Sequence, residues 1–219
     1  RARAHGAIVA AYWKPAYKYV RRKWNASRED AEDLIQGFFT RALEKPFFER
    51  FEPGRARFRT YLRVCLDGFV ANQRKAERRL KRGGGATLLS LDFEDAEGEL
   101  RRHEPPVDDD PDAYFEREWT RHLFAQAVES LRRDCETEGR EARFQVFRRY
   151  DLEDHAPGEA PSYADLAVES GLPVTTVTNH LAWARREFRR RVLKRLRELC
   201  LDDDEYRSEA RRMLGVELP

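Results

Sequence analysis

The spacing of the apolar residues constrains this chain most. Leu34, Ile35, Phe38, Phe39, Ala42 and Leu43 follow one another in alternating steps of one and three, which places all six on one face of a helix. The same period recurs along the sequence. Tyr12, Trp13, Tyr17 and Val20 make a stripe in a helix, or helix pair, between about Ala4 and Trp24. Phe58, Leu62, Cys65, Leu66 and Phe69 make another in the long segment "FRTYLRVCLDGFVANQRKAERRLKR". The strict alternation of a half-buried strand is almost absent. The expectation is an all-α fold.

Where the period breaks, the chain divides. Pro53 and Gly54 in "FEPGRARF" mark a loop, and Pro15 marks a helix start or a kink. Residues 83–112 open on three glycines and end in "HEPPVDDDPD", an acidic stretch whose one apolar island is "LLSLDF". That composition predicts a flexible acidic linker. The resulting division is a first helical domain over 1–82, the linker over 83–112, a second helical domain over 113–200, and a tail over 201–219. The tail carries Met213 and Leu214 and suits one last short helix. Hydrophobic residues make up 41% of the 219, so two small cores are affordable and one large one is not needed.

Several function classes find no support. No run of about 18 apolar residues is present, so no membrane span is expected. The basic start "RARAHGAIVAAYWKPAYKYV" is interrupted by Lys14, Pro15 and Lys18 and lacks the order of a secretory signal. The chain opens on Arg1 rather than Met, consistent with residues upstream. Cys65, Cys135 and Cys200 are scattered and odd in number, which fits three buried thiols in a reducing cytoplasm rather than a disulfide framework or a zinc site. HExxH, GxSxG and GxxxxGKS/T are missing, and "RGGGA" at Arg82–Ala86 lacks the Lys-Ser/Thr of a phosphate loop. No catalytic, phosphate-loop or zinc motif is therefore recognised, and no cofactor or metal is expected.

The basic residues are distributed in a more telling way. "SYADLAVESGL" reads as a short amphipathic helix with Tyr163, Leu166 and Ala167 inward, followed by a turn at Gly171. "PVTTVTNHLAWARREF" begins a second helix at Pro173 with Val174, Val177 and Leu181 apolar. Gly171 suits a turn in which a left-handed residue costs little only for glycine. The second helix presents Thr175, Thr176, Thr178, Asn179 and His180 near its N-terminus, short polar groups that can reach base edges in a major groove. Arg185, Arg186, Arg189, Arg190 and Arg191 follow and suit phosphates. A helical hairpin with a solvated basic face is the plain alternative.

In the first domain, Arg59, Tyr61 and Arg63 stand with Asn72 and the cluster Arg74, Lys75, Arg78 and Arg79. Aromatic and basic residues so interleaved suit unpaired DNA, where bases stack and phosphates pair, or else a core with a solvated face. Upstream, "SREDAEDLIQGFFTRAL" places Glu29, Asp30, Glu32 and Asp33 in one turn. Ser27 with Asp30 resembles a capping box, and carboxylates in a first turn contribute roughly 0.3–1 kcal/mol each through the helix dipole. That accounts for Glu29 and Asp30 better than for Glu32 and Asp33. A metal site lacks further ligands, and a docking surface for a basic partner remains.

These segments, in this order, resemble a bacterial RNA polymerase sigma factor of the sigma-70 superfamily. The extracytoplasmic-function type, which keeps only regions 2 and 4, is the nearest in layout. The resemblance covers about residues 8–200. It implies two small helical domains, region 2 and region 4, and a non-enzymatic role in promoter recognition and transcription initiation. Asp30, Glu32, Asp33 and Gln36 would then bind the clamp helices of the polymerase beta-prime subunit. Arg59, Tyr61 and Asn72, with the Pro53–Phe58 loop, would melt and read the minus-ten element, the loop holding a flipped base. Arg74, Lys75, Arg78 and Arg79 would grip nearby phosphates. Thr175, Thr176, Thr178, Asn179, His180, Arg185 and Arg186 would serve the minus-thirty-five element. The partners implied are core polymerase, including its beta flap, promoter DNA, and an anti-sigma factor or kinase as regulator, with Thr40 a minor candidate for phosphorylation.

The chain also departs from that family. Gly37 stands where Glu is usual, Tyr61 where Trp is frequent, and Thr178 and His180 where basic residues are common. Gly68 weakens its helix by up to about 1 kcal/mol relative to Ala. The stretch "RRYDLEDHAPGEAPS" is long, and the tail beyond Leu201 is an addition with room for regulation. A stand-alone helix-turn-helix regulator and a helical adaptor are the competing readings.

Overall fold

The computed structural model describes residues 2–44, 50–52, 54–77, 89–102, 110–156 and 158–217. Among them the chain is all-α: nine α-helices, a π-helical turn and no strand. The helices are α1 (Ala2–Lys23), α2 (Arg28–Glu44), α3 (Phe58–Glu77), α4 (Phe93–Arg102), α5 (Pro111–Thr137), α6 (Glu141–Phe147), α7 (Tyr163–Ser170), α8 (Val174–Leu199) and α9 (Asp203–Leu214). The π-helical turn, Arg148–Leu152, follows α6 directly. Two compact units form, one from residues 1–122 with 197–219, the other from 123–196.

In the first unit α1 is the central element. Ile8, Ala11, Tyr12, Ala16, Tyr19 and Val20 recur at helical spacing and are all buried. Pro15 lies inside an unbroken helix. Its ring removes one backbone donor from the helix ladder. Tyr12 meets Phe58 of α3 edge-on at 5.7 Å and stacks with Trp119 of α5 at 5.9 Å, while Tyr19 meets Phe115 at 5.4 Å. Phe38 of α2 touches Phe69 of α3 at 5.7 Å. Each such pair contributes about 0.5–1.5 kcal/mol beyond the area it buries.

The expectation of a flexible linker over 83–112 fails for the described part, residues 89–102 and 110–112. Residues 93–102 form α4, whose N-terminus is capped by the Asp92 carboxylate accepting from the Asp95 N–H at 3.0 Å. Phe93 and Ala96 are buried, with Phe93 against Trp13 and Tyr17 of α1. The acidic composition that suggested a linker is matched by basic residues on α1. Lys14 bonds Asp95 and Glu99 (2.5 and 2.8 Å), Lys18 bonds Glu99 and Glu118 (2.6 and 2.8 Å), and Arg21 and Tyr17 bond Glu97 (2.6 Å each). Burial by itself would raise the Glu99 pKa, but the two lysines hold it down to about 2.

The tail is likewise part of a unit: α9 packs with residues 1–122. Its N-cap is Asp202, which accepts from the Glu205 N–H at 2.7 Å, and it ends at Gly215 in the left-handed region (φ 63°).

The second unit holds two apolar clusters. Leu131, Cys135, Phe144, Phe147 and Ala184 form one; Val146, Leu166, Val177 and Leu181 form the other. Cys135 is buried, whereas Cys65 and Cys200 are only half-buried, so the expectation of three buried thiols is corrected for those two.

Candidate functional site

The acidic edge of α2 begins where Ser27 accepts the Asp30 N–H at 3.1 Å. The cap is therefore supplied by the serine, and the carboxylates that follow project outward. Glu29, Asp30 and Asp33 are exposed, and Glu32 is half-buried and paired with Arg28 at 2.7 Å. No group of three or more potential metal ligands forms among the described residues. Gln36 is placed differently from the other three predicted docking residues. Its side chain is buried, and its amide pairs with the Leu89 backbone in both directions, Nε2 donating to the carbonyl at 3.0 Å and Oε1 accepting the N–H at 2.8 Å. Thr40 is half-buried on the same helix.

Gly37 has a packing reason. A Cβ there would lie 3.3 Å from Phe69 Cζ, so the position is a close approach between α2 and α3. Gly68, by contrast, has nothing within 4 Å of a Cβ. It opens onto a groove of about 580 Å³ between α2 and α3, lined by Phe38, Arg41, Cys65, Phe69 and Asn72 among others.

The predicted minus-ten residues divide. Asn72 and Lys75 are exposed on α3. Arg74 is half-buried, donates to the Trp24 carbonyl and lies over the Trp24 ring at 5.2 Å. Tyr61 is half-buried, packed on Phe51 at 5.3 Å, and burial with Cys65 beside it pushes its pKa up to about 12. It borders a pocket of about 260 Å³ with Phe51, Arg55, Thr60 and the exposed Val64. Arg78, Arg79 and Pro53 lie outside the described residues.

Arg59 departs most from expectation. It is 2% exposed, its guanidinium 4.7 Å from the Trp119 ring and ion-paired with Glu116 and with Glu209 of α9. A surface role for Arg59 in this conformation is corrected: the helix period that turns Phe58 and Leu62 inward turns Arg59 toward α5 and α9.

In the second unit α7 starts with a full capping box. Ser162 Oγ accepts the Asp165 N–H at 3.2 Å, and Asp165 Oδ2 accepts the Ser162 N–H at 2.8 Å. The S-x-x-D pattern was present to be read. Gly171 sits at φ 67° between α7 and α8, the left-handed turn that its identity predicts. Thr175, Thr178 and Asn179 are exposed at the start of α8, and Thr176 is half-buried. His180 is also half-buried with Nδ1 unbonded, and burial together with the Arg143 charge lowers its pKa.

Arg185 is tied within the unit, its guanidinium bonding both Asp151 oxygens at 2.9 Å and lying 5.3 Å from the Tyr150 ring. Periodicity could not reveal this, because Asp151 is 34 residues away on the π-helical turn. Arg186, Arg189 and Arg190 are exposed, the last paired with Glu187. The unit thus presents short polar groups at one helix start, with cations further along the same helix. That arrangement can address base edges and phosphates together.

No helix among the described residues is long and apolar enough to cross a membrane. No curated protein and no solved structure matches the chain. Residues 8–80, which span α1 to α3, match the family model of Sigma-70 region 2. That match, over the unit carrying the acidic α2 edge and the Tyr61–Lys75 face of α3, supports a place for the protein in the sigma-70 superfamily and a sigma-factor role in transcription initiation.

Proposed function

We propose that the chain is a sigma factor of the extracytoplasmic-function type, with region 2 in the first unit and region 4 in the second. The observation that carries this reading is the Sigma-70 region 2 match over residues 8–80. The exposed carboxylates of α2 supply a surface of the right sign for a basic polymerase element. Asp30 and Asp33 make the first contact with core polymerase, joined by Glu32 once it leaves Arg28; Gln36, already paired with Leu89, is held back. Asn72, Arg74 and Lys75 face the minus-ten DNA, and an unstacked base rests against Tyr61 and Phe51. Thr175, Thr178 and Asn179 read the minus-thirty-five element from a major groove, with Arg186 on phosphate. Strand opening follows from capture of unpaired bases; the polymerase supplies the chemistry.

The test is co-elution with bacterial core polymerase in size exclusion, wild type beside an Asp30→Ala/Glu32→Ala/Asp33→Ala variant. Co-elution that the triple substitution abolishes supports the reading. Failure to co-elute, together with tight binding of duplex DNA by the protein alone, moves it to a stand-alone regulator.

A further inference from the structure

Arg28, Glu32, Gln36 and Thr40 stand four residues apart and form one row along α2. A single stretch of chain lies along that row. At Gln36 it is the Leu89 backbone, whose N–H donates to Oε1 at 2.8 Å and whose carbonyl accepts from Nε2 at 3.0 Å. Further on, Glu94 lies 3.7 Å from Arg28 Nη2, and Arg28 in turn bonds Glu32 at 2.7 Å. The chain from Leu89 to Glu94 therefore runs antiparallel to α2, from Gln36 back to Arg28, a span of about 12 Å at a rise of 1.5 Å per residue. The expected docking residues divide accordingly. Asp30 and Asp33 lie off the row and are exposed, whereas Glu32 and Gln36 lie on it and are occupied.

This stretch has a firm end and a weak end. From Phe93 onward α4 is anchored on α1, with Phe93 against Trp13 and Tyr17 and with Lys14, Lys18 and Arg21 on Glu99 and Glu97. Residues 89–92 are not helical and have few holds. Ser90 and Asp92 are exposed, and Leu89 and Leu91 are half-buried in the wall of a groove of about 540 Å³ shared with Val9, Trp13 and Leu43. The Glu94 side chain is 87% exposed, so its pairing with Arg28 contributes little. The main hold is the doubly bonded Gln36 amide. Breaking it without replacement strands polar groups in a buried place, so the stretch stays down until other polar groups take its position.

We propose that residues 89–92 are a strap across the polymerase-docking face of α2, hinged where α4 begins, and that core polymerase lifts it by replacing the Leu89 backbone on Gln36. This rests on the proposed sigma-factor reading and deepens it by naming a contact that regulates the docking site. Asp30 and Asp33 make the encounter with the strap closed. Lifting then exposes the Gln36 amide, while α4 stays on α1. The closed strap reduces the affinity of the free chain by the fraction of molecules that it covers.

The experiment uses the full chain and bacterial core polymerase. Hydrogen exchange of the Leu89 amide is followed in wild type, with the α4 amides from Ala96 onward as internal reference. Affinity for core polymerase is measured for wild type, Leu89→Pro and Leu91→Ala. The first substitution removes the N–H that Gln36 accepts, the second removes contact with the groove, and neither alters α2. The Leu89 amide is expected to lose protection when polymerase is added, while the α4 amides keep theirs. Both variants are expected to bind about three- to tenfold more tightly, the effect of one hydrogen bond or a few apolar groups lost from the closed form.

Retention of wild type with the Leu89 amide still protected, or with affinity no higher in either variant, overturns the strap and leaves the sigma reading intact. Should one variant lose its helical circular dichroism, the other variant and the wild-type exchange decide. If core polymerase retains none of the three proteins, the sigma reading and the strap fall together.

Discussion

Lys18 is the residue whose loss most sharply tests how α4 is held to α1. It is 3% exposed and bridges Glu99 at 2.6 Å and Glu118 at 2.8 Å. Lys18→Met keeps the length and apolar stem of the side chain but removes the charge. Glu118 is itself buried and then keeps Arg121, whose side chain is nearly half exposed; Glu99 keeps Lys14 at 2.8 Å and is partly open to water. Breaking a buried pair by deleting one partner costs about 3–5 kcal/mol. The surviving partners place this case near about 3 kcal/mol, the low end of that range. For a protein of this size the loss lowers the thermal midpoint by about 9 °C at roughly 2–4 °C per kcal/mol.

Urea denaturation followed by circular dichroism at fixed pH reads the free energy directly. A paired variant, Lys18→Met/Glu118→Leu, replaces both charges by apolar groups and is expected to recover most of the loss. If Lys18→Met costs less than about 1 kcal/mol, or if the pair is worse than the sum of its singles, the desolvated-pair reasoning is wrong.

Two further outcomes follow from local geometry. Gly68→Ala is expected to stabilise the first unit by about 0.5–1 kcal/mol, because nothing obstructs a Cβ there; Gly37→Ala is expected to gain far less, since Phe69 stands 3.3 Å from the new atom, and chemical denaturation of both variants compares them. Burial lowers the His122 pKa to about 4, with the ring bonded to the Ala10 carbonyl at 2.8 Å. The unfolded chain takes up that proton near pH 6.5 while the folded one resists to about pH 4. Stability contributed by neutral His122 is therefore complete above pH 6.5 and lost as pH falls toward 4, by up to about 3 kcal/mol. A His122→Gln variant should show a flatter stability profile across that window, and an unchanged profile would refute the assignment.

Much of the fold was legible in the sequence. The helical period located α1, α2, α3 and α8, and Gly171 and Pro173 located the turn before α8, because each of these depends on interactions within a few residues. The exposed tip Thr175, Thr178 and Asn179 was legible for the same reason: the apolar positions Val177 and Leu181 fix which face remains outside.

What the period could not supply was the partner of each charge. An arginine reads alike in sequence whether it faces solvent or a carboxylate 150 residues away. Arg59 read as a DNA contact and is buried against Glu116 and Glu209; Arg185 read as a phosphate contact and is held by Asp151. The acidic stretch 92–102 read as linker because its compensating cations, Lys14, Lys18 and Arg21, lie some eighty residues earlier on α1. Local spacing determined the helices and their inward faces. Only the tertiary structure decided which charges far apart in the chain neutralise one another, because such pairing depends on distance through space and leaves no period; pairs three or four residues apart, such as Arg28–Glu32, follow the helix itself.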